Sequence, residues 1–134
     1  DMAPMKFLNA IYNNSPINIY NNGKLSRDFT YIEDITTSIE KVYEKDQQNS
    51  TPSNRLFNIG NSDPVLLLDF IKTIEKITGK TFIKNYVSMQ KGDVYKTFAD
   101  VTLLESYIGK IPHTDLKEGI SKLVKWYTKY YKLN

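Results

Sequence analysis

Arg27 opens the segment RDFTYIEDI and is the residue of this sequence best suited to bind a charged ligand. The planar guanidinium of arginine binds phosphate through two parallel hydrogen bonds, a geometry that lysine does not offer. Arg27, Phe29 and Tyr31 alternate and would share one face of a strand, and a strand that leads into a helix is a common ligand site in α/β proteins. The residues alone leave a second interpretation open, a structural salt bridge from Arg27 to Asp28 or Glu33.

Gly92 and Asp93, in the segment QKGDV, are a second pair whose residue types suit ligand binding. Glycine lets a backbone come close to a ligand, and the short carboxylate after it is an acceptor of the kind that binds sugar hydroxyls. A Gly-Asp pair is also common in ordinary turns, so this signal is weak by itself. Together with Arg27 it indicates a small domain that binds a ligand both phosphorylated and hydroxylated.

The sequence shows no reaction centre, and we predict no catalytic residues in it. It has no Ser-His-carboxylate set, no glycine-rich phosphate loop and no metal-ligand spacing. Cysteine is absent and His113 is the single histidine, which excludes thiol nucleophiles and zinc sites. Glu33 and Asp34 are adjacent at the start of a predicted helix, where acidic residues typically interact with the helix dipole or cap the helix. Adjacent helix positions do not face each other, which disfavours an acid–base pair.

The composition is that of an ordinary globular domain. The chain has 134 residues, of which 40% are hydrophobic and 25% are charged, and its net charge is +3. The lysines are scattered, and the basic stretch KLVKWYTKYYKLN fits a helix with a solvated lysine face, so we predict neither a nucleic-acid nor a membrane partner. There is no long apolar run and no signal-peptide pattern, and we expect a cytoplasmic protein.

The elements that would position Arg27 and Asp93 form a single α/β domain over residues 1–134, with helices packed on short strands. A first helix is predicted near the start of the chain, and Asn22-Gly23 predicts a β-hairpin turn between two alternating runs. The next helix, EDITTSIEKVYEK, has an apolar stripe of Ile35, Ile39 and Val42.

In the second half of the chain, RLFNIG and TFIKNYV are predicted strands, the first of them buried and closed by Gly60. A helix lies between them and ends at Gly79. The residues predicted to form its core face are Leu67, Phe70, Ile71, Ile74 and Ile77. The residues predicted to cap the helices of this half are Ser62, Asp63 and Pro64 for that helix, Asp100 for a short helix ending at Gly109, and Thr114 for the last helix.

Three stretches resemble one family in the same order along the chain: YNNGKLSRDFTYIEDI, FNIGNSDPVLLLDFI and MQKGDVYKTFADVTLLESYIG. They are similar to the C-terminal, substrate-binding half of extended short-chain dehydrogenases/reductases. Within that family they are most similar to the nucleotide-sugar 4-epimerases, UDP-glucuronate 4-epimerase above all. The resemblance covers almost the whole chain, and even DMAPMKF looks like the segment that follows the family's Gly-Pro-x-Gly-Arg-Pro loop.

The resemblance implies a UDP-sugar ligand and a role for several residues. In the family, NAD and the catalytic Tyr-x-x-x-Lys pair belong to an N-terminal Rossmann half, and hydride moves from C4 of the sugar to NAD and back. Here Arg27 matches the arginine that binds the diphosphate, and Asp93 matches the acidic residue at the uridine ribose. Asn18 and Tyr20 fall where relatives contact the uracil. Many sugar epimerases have Arg-x-Gly-Asp, whereas this chain has Gln90-Lys91-Gly92-Asp93, so Gln90 replaces a second arginine and Lys91 is the candidate for the missing charge.

The same resemblance implies that this chain is a C-terminal fragment of a longer enzyme. It would be inert and monomeric alone, while the full-length protein would bind NAD, form a homodimer and serve surface polysaccharide synthesis. Sister activities stay open: UDP-N-acetylglucosamine 4-epimerase, or a nucleotide-sugar dehydratase or decarboxylase. A stand-alone nucleotide-sugar-binding or interaction module is the alternative from another class.

Overall fold

The computed structural model describes residues 2–48 and 54–133. The helices in these ranges are α1 (Ala3–Tyr12), α2 (Ile32–Gln47), α3 (Leu67–Thr78), α4 (Thr102–Ile108) and α5 (Leu116–Tyr130). The strands are β1 (Ile17–Tyr20), β2 (Ser26–Arg27), β3 (Val65–Leu66) and β4 (Lys84–Val87). The predicted class, helices packed on short strands, is confirmed. No helix in the described ranges has the length and apolar character needed to cross a membrane.

The core lies between α1, α3, α5 and the parallel pair β1–β4. Ile17 pairs with Lys84, which begins a parallel register that continues to Tyr20 and Val87. Aromatic rings fill the centre of the core, where Phe7 contacts both Phe70 and Phe82 at ring-centroid distances of 6.0 and 5.8 Å. The residues that complete this core are Leu8, Ala10, Ile11, Ile17, Ile19, Ile71, Ile74, Ile120, Val124 and Tyr127.

The α3 helix agrees closely with its sequence pattern. Phe70, Ile71 and Ile74 are fully buried in the core, and the flanking Leu67 and Ile77 pack against it. The helix ends at Gly79, whose φ of 68° is left-handed and whose N–H donates to the Glu75 carbonyl. Both the apolar period and the glycine stop are local signals, and each is confirmed.

The hairpin predicted at Asn22-Gly23 is wrong. Strand β1 pairs with β4, and β2 pairs instead with β3, antiparallel, with Ser26 opposite Leu66. Asn21, Asn22 and Gly23 all have positive φ and form a 3₁₀ turn, which directs the chain from one sheet to the other. Strand β2 is also too short for the predicted strand face, because it ends at Arg27, before Phe29 and Tyr31.

The predicted buried strand RLFNIG is also absent: residues 55–60 form no strand, and Leu56 is 86% exposed. The apolar stripe predicted for α2 is wrong in part, since Ile39 is 54% exposed. The fully buried residues of α2 are Asp34 and Ser38, while Ile35 and Val42 are half-buried. The Asp34 carboxylate accepts from the backbone N–H and the hydroxyl of Thr114, at 2.7 and 2.8 Å.

Two of the three predicted helix caps lie elsewhere. The last helix is capped by Asp115, which accepts from Lys117 N–H, because Thr114 is bound to Asp34. The Ser62-Asp63-Pro64 segment does not cap α3, since strand β3 separates it from that helix. Asp100 does bind the start of α4, where its carboxylate accepts from Thr102 N–H at 3.0 Å.

Candidate functional site

A cleft of about 710 Å³ lies between α1, β1 and the segment that follows β2. Phe29 forms part of its wall and stacks on Phe70 of the core, with ring centroids 4.5 Å apart and planes at 13°. The polar residues that line it include Asn9, Asn18, Arg27, Asp28, Asp93 and Thr97. The cleft therefore combines an apolar wall with a small set of polar groups, the usual character of a small-molecule site.

Strand β1 supplies Asn18 and Tyr20 to this cleft by simple alternation. Ile17 and Ile19 are 5% and 0% exposed and point into the core, so the intervening residues of the strand point the other way. Asn18 is exposed and Tyr20 is half-buried, and both line the cleft. Their predicted contact with a nucleobase stays a prediction, and their position leaves them available for it.

Arg27 pairs with Asp93 rather than with Asp28 or Glu33, the two carboxylates that the sequence suggested. Its Nη2 forms an ion pair with the Asp93 carboxylate, and both side chains are 28% exposed. Its Nη1 donates to the Val94 and Ser26 carbonyls at 2.8 and 2.9 Å. A guanidinium carries five N–H donors. These contacts fix its plane at the edge of the cleft.

The segment 93–99, called the arm here, is joined by hydrogen bonds to Ser26 and Arg27 of β2 and to Asp28 after it. Ser26 N–H donates to the Tyr95 carbonyl at 2.9 Å, and Thr97 N–H donates to the Ser26 carbonyl at 3.2 Å. Arg27 binds Asp93 and the Val94 carbonyl. These contacts bring together two predicted ligand residues that lie 66 positions apart in the sequence.

Gln90 and Lys91 stay outside the cleft. Both are exposed, and neither lines the cleft wall. Gln90 contributes its backbone carbonyl, which accepts from Asp93 N–H at 3.2 Å across a turn in which Gly92 has a φ of 85°. Four of the six predicted ligand residues therefore line the cleft: Asn18, Tyr20, Arg27 and Asp93. The other two, Gln90 and Lys91, lie outside it.

Asn9, Asp28 and Thr97 are polar residues of the cleft that the sequence did not predict, and Asp28 has the most hydrogen bonds of the three. Its carboxylate accepts from the backbone N–H groups of Ala99 at 3.0 Å and Ser62 at 3.1 Å through Oδ2. Oδ1 accepts from Asp63 N–H at 3.4 Å. The Asp28 backbone N–H donates to Thr97 Oγ1 at 2.9 Å. The sequence has one signal for Asp28, an acidic residue beside the arginine, and that signal predicts only an ion-pair partner for Arg27.

A second cleft, of about 540 Å³, lies between α1 and the end of α5. Its tyrosines Tyr12 and Tyr127 stack with ring centroids 5.6 Å apart, and burial raises the pKa of both phenols. None of the predicted ligand residues lines it. The described residues also contain no group of three or more His, Cys, Asp or Glu side chains that could hold a metal ion. The cleft at Arg27 is therefore the candidate site.

No protein-family model matches the chain. The probable UDP-glucuronate 4-epimerase of Rhizobium meliloti (strain 1021) is 39% identical to it over 98% of this chain and 43% of that protein. Protein CapI of Staphylococcus aureus is 39% identical over the same shares. The chain thus spans less than half the length of the curated relatives it matches.

A solved structure with the same fold is that of UDP-glucuronic acid 4-epimerase from Bacillus cereus in complex with UDP-glucuronic acid and NAD. It superposes with a TM-score of 0.83 at 26% identity, over 98% of this chain and 41% of the epimerase.

Proposed function

Because this chain belongs to the nucleotide-sugar 4-epimerases of the extended short-chain dehydrogenase/reductase family, we propose that it binds a UDP-sugar as part of a longer, NAD-dependent epimerase. The favoured substrate is UDP-glucuronate, and the favoured reaction is inversion at C4. The observation that carries the proposal is the convergence of Arg27, Asp93, Asn18 and Tyr20 on one cleft.

The chemistry of these four residues suits the parts of a UDP-sugar. The Arg27 guanidinium suits a diphosphate, because it offers planar charged donors. The Asp93 carboxylate suits a ribose hydroxyl, since it accepts hydrogen bonds only. Asn18 and Tyr20 offer an amide and an aromatic ring for a pyrimidine. Firm binding of the nucleotide at this cleft would leave the sugar free to turn over during epimerisation.

NAD binding and hydride transfer belong, in this proposal, to the part of the relatives that this chain does not match. Tyr20 and Lys24 have the Tyr-x-x-x-Lys spacing of the family's catalytic pair. That spacing brings two side chains together on a helix, whereas Tyr20 ends a strand and a 3₁₀ turn separates it from Lys24. The glycine-rich dinucleotide loop is likewise absent from the sequence. This chain's own residues would therefore bind and orient the nucleotide.

The reaction is tested with the protein expressed from its complete coding sequence, incubated with UDP-glucuronate and NAD. We expect the C4 epimer, separated from the substrate by chromatography. A pentose product would indicate a decarboxylase. In parallel incubations, a 4-keto-6-deoxy sugar formed from UDP-glucose, whose C6 hydroxyl can leave as water, would indicate a dehydratase, and turnover of UDP-N-acetylglucosamine but not of UDP-glucuronate would indicate the other epimerase. A start codon immediately before Asp1, with no turnover of any of these substrates, would leave only a binding module.

The site is tested by comparing Arg27→Ala with Arg55→Ala in that same protein. Arg55 pairs with Asp46 at 2.7 Å outside the cleft, so its removal controls for the loss of one positive charge. Loss of a charged hydrogen bond to phosphate should weaken UDP binding in Arg27→Ala by about 1.5–3 kcal/mol, roughly 10- to 150-fold. Calorimetry measures the affinity. Equal affinities in the two variants would remove Arg27 from the binding site.

A further inference from the structure

We propose that Asp28 is the positioning residue of this site: its carboxylate holds the arm that carries Asp93 against the strand that carries Arg27. This inference rests on the UDP-binding function proposed above. Asp28 would act on the ligand through the arm, and it would not itself bind phosphate or sugar.

The contacts of Asp28 join three separate segments of the chain. Its carboxylate accepts the N–H of Ala99 at the end of the arm, and the N–H groups of Ser62 and Asp63 in the loop before β3. Its own N–H binds the Thr97 side chain, near the middle of the arm. Hydrogen bonds from backbone N–H to a charged carboxylate are stronger than neutral ones. The Asp28 carboxylate therefore holds the arm at Ala99 and its backbone N–H holds Thr97, whereas Arg27 binds the first two residues of the arm.

The charge of Asp28 needs an explanation because an aspartate beside an anion site is unfavourable. A carboxylate that faced a diphosphate would repel it. At Asp28, three backbone N–H groups meet the two oxygens instead, and they offset the negative charge. Both residues line the cleft, but the Arg27 guanidinium bonds to Asp93, Val94 and Ser26, while the Asp28 carboxylate bonds to the three N–H groups. The Arg27 guanidinium is consequently not paired with Asp28, and it is available to bind Asp93 and a ligand.

Loss of the Asp28 carboxylate would remove the acceptor of the Ala99 N–H and so loosen the end of the arm, where the bond from Ser62 Oγ to the Ala99 carbonyl would remain. The Ala99, Ser62 and Asp63 N–H groups would each lose an acceptor, while the Ser26 and Arg27 contacts to residues 93–97 would remain. Asp93 would then lie on a segment that is held from residue 93 to residue 97 but is less firmly held at residue 99. A ligand that needs Arg27 and Asp93 together would have to order the arm as it binds, and its affinity would fall.

The test uses Asp28→Ala, Asp28→Asn and a control, Asp69→Asn, in the protein expressed from its complete coding sequence. Asp69 lies on the surface of α3 and pairs with Lys72, so its change leaves the arm intact. Limited trypsin digestion measures cleavage after Lys96 in the arm relative to Lys125 on α5. Calorimetry with UDP measures affinity.

We expect Asp28→Ala to raise the Lys96 to Lys125 cleavage ratio and to weaken UDP binding, each by about tenfold. Asp28→Asn keeps an oxygen that can replace Oδ2 and should change both much less, and Asp69→Asn should change neither. If Asp28 acts through the arm, adding Asp28→Ala to Asp93→Ala should cost less than about twofold more, because the group that the arm positions is already gone.

Three results separate the possible failures. An unchanged cleavage ratio in Asp28→Ala would overturn the inference whatever happens to UDP. A raised ratio with unchanged affinity would show a structural tether with no effect on the site, and a loss of affinity that adds fully to that of Asp93→Ala would show an effect that does not act through Asp93; either would overturn the inference. Failure of the unmodified protein to bind UDP would overturn the proposed function itself, while the cleavage ratio would still decide whether Asp28 orders the arm.

Discussion

Substituting alanine for Gly60 tests the close contact between Gly60 and the segment at Ala99, which Asp28 also binds. A Cβ at residue 60 would lie 2.3 Å from the Ala99 Cβ and 3.1 Å from Asp28 Oδ2. The first distance is well below 3.0 Å, and Cβ atoms in proteins essentially never approach another atom that closely. The φ of Gly60 is not left-handed, so the backbone itself tolerates a side chain. The predicted cost is therefore purely steric.

The size of the effect follows from what must move. Overpacking a close contact typically costs 1–3 kcal/mol. Here the two segments that must separate are both bonded to the Asp28 carboxylate, through Ser62 N–H and Ala99 N–H. Hydrogen bonds to a charged group are worth about 1.5–3 kcal/mol each, so relief of the clash weakens at least one of them. We expect Gly60→Ala to lower the free energy of unfolding by about 2–3 kcal/mol.

Urea unfolding of four proteins measures this: the parent, Gly60→Ala, Ala99→Gly and the double variant. The double variant removes the clashing Cβ at 99 and should recover most of the loss, leaving the roughly 0.5–1 kcal/mol that a new glycine costs. Gly119→Ala is the matched control. Its Cβ would lie 3.4 Å from the Tyr31 ring in ordinary contact, and within α5 alanine should stabilise by up to about 1 kcal/mol. A Gly60→Ala protein as stable as the parent, or no rescue by Ala99→Gly, would refute the reasoning.

Three further predictions concern stability, each measured by urea unfolding. Asp34→Ala leaves the Thr114 N–H and hydroxyl without their acceptor and should cost about 2–4 kcal/mol; a loss below 1 kcal/mol would contradict this. Burial of Glu75 opposes ionisation, but its bonds to Lys84 and the Phe82 N–H prevail and lower its pKa below the usual 4.5. Its stabilisation is therefore complete above pH 4.5 and lost below it, so the parent's advantage over Glu75→Gln should shrink between pH 5 and pH 3. Ile39→Ser should change stability by less than about 0.5 kcal/mol because Ile39 is 54% exposed.

The sequence predicted best what is decided locally. The apolar period of α3 and its stop at Gly79 depend on neighbours within a few residues, and both are correct. The strands depend on partners that are distant in the sequence. Strand β1 pairs with β4, more than sixty residues later, and this pairing prevails over the Asn-Gly turn signal at 22–23. A strand of two residues such as β2 has no periodicity to detect.

For the site, the sequence identified residue types but not their arrangement. Arg27 and Asp93 were each recognised by their own chemistry, yet their contact depends on the arm lying along β2, which no local pattern specifies. The neighbours of Asp34 in the sequence predict only an interaction with the helix dipole. Its actual partner, Thr114, lies 80 positions later in the sequence and is within hydrogen-bond distance in the fold. Asp28 was missed for the same reason.

The structure also changes how the two interpretations of Arg27 relate to each other. A phosphate-binding arginine and a structural ion pair looked like alternatives in the sequence, but here the ion-pair partner is the other predicted ligand residue. A phosphate that took Arg27 away from Asp93 would leave a carboxylate only 28% exposed without its counter-ion. A ligand with both a phosphate and a hydroxyl gives Arg27 and Asp93 each a new hydrogen-bond partner when their ion pair opens. The pair would thereby favour a phosphorylated sugar over a phosphate alone.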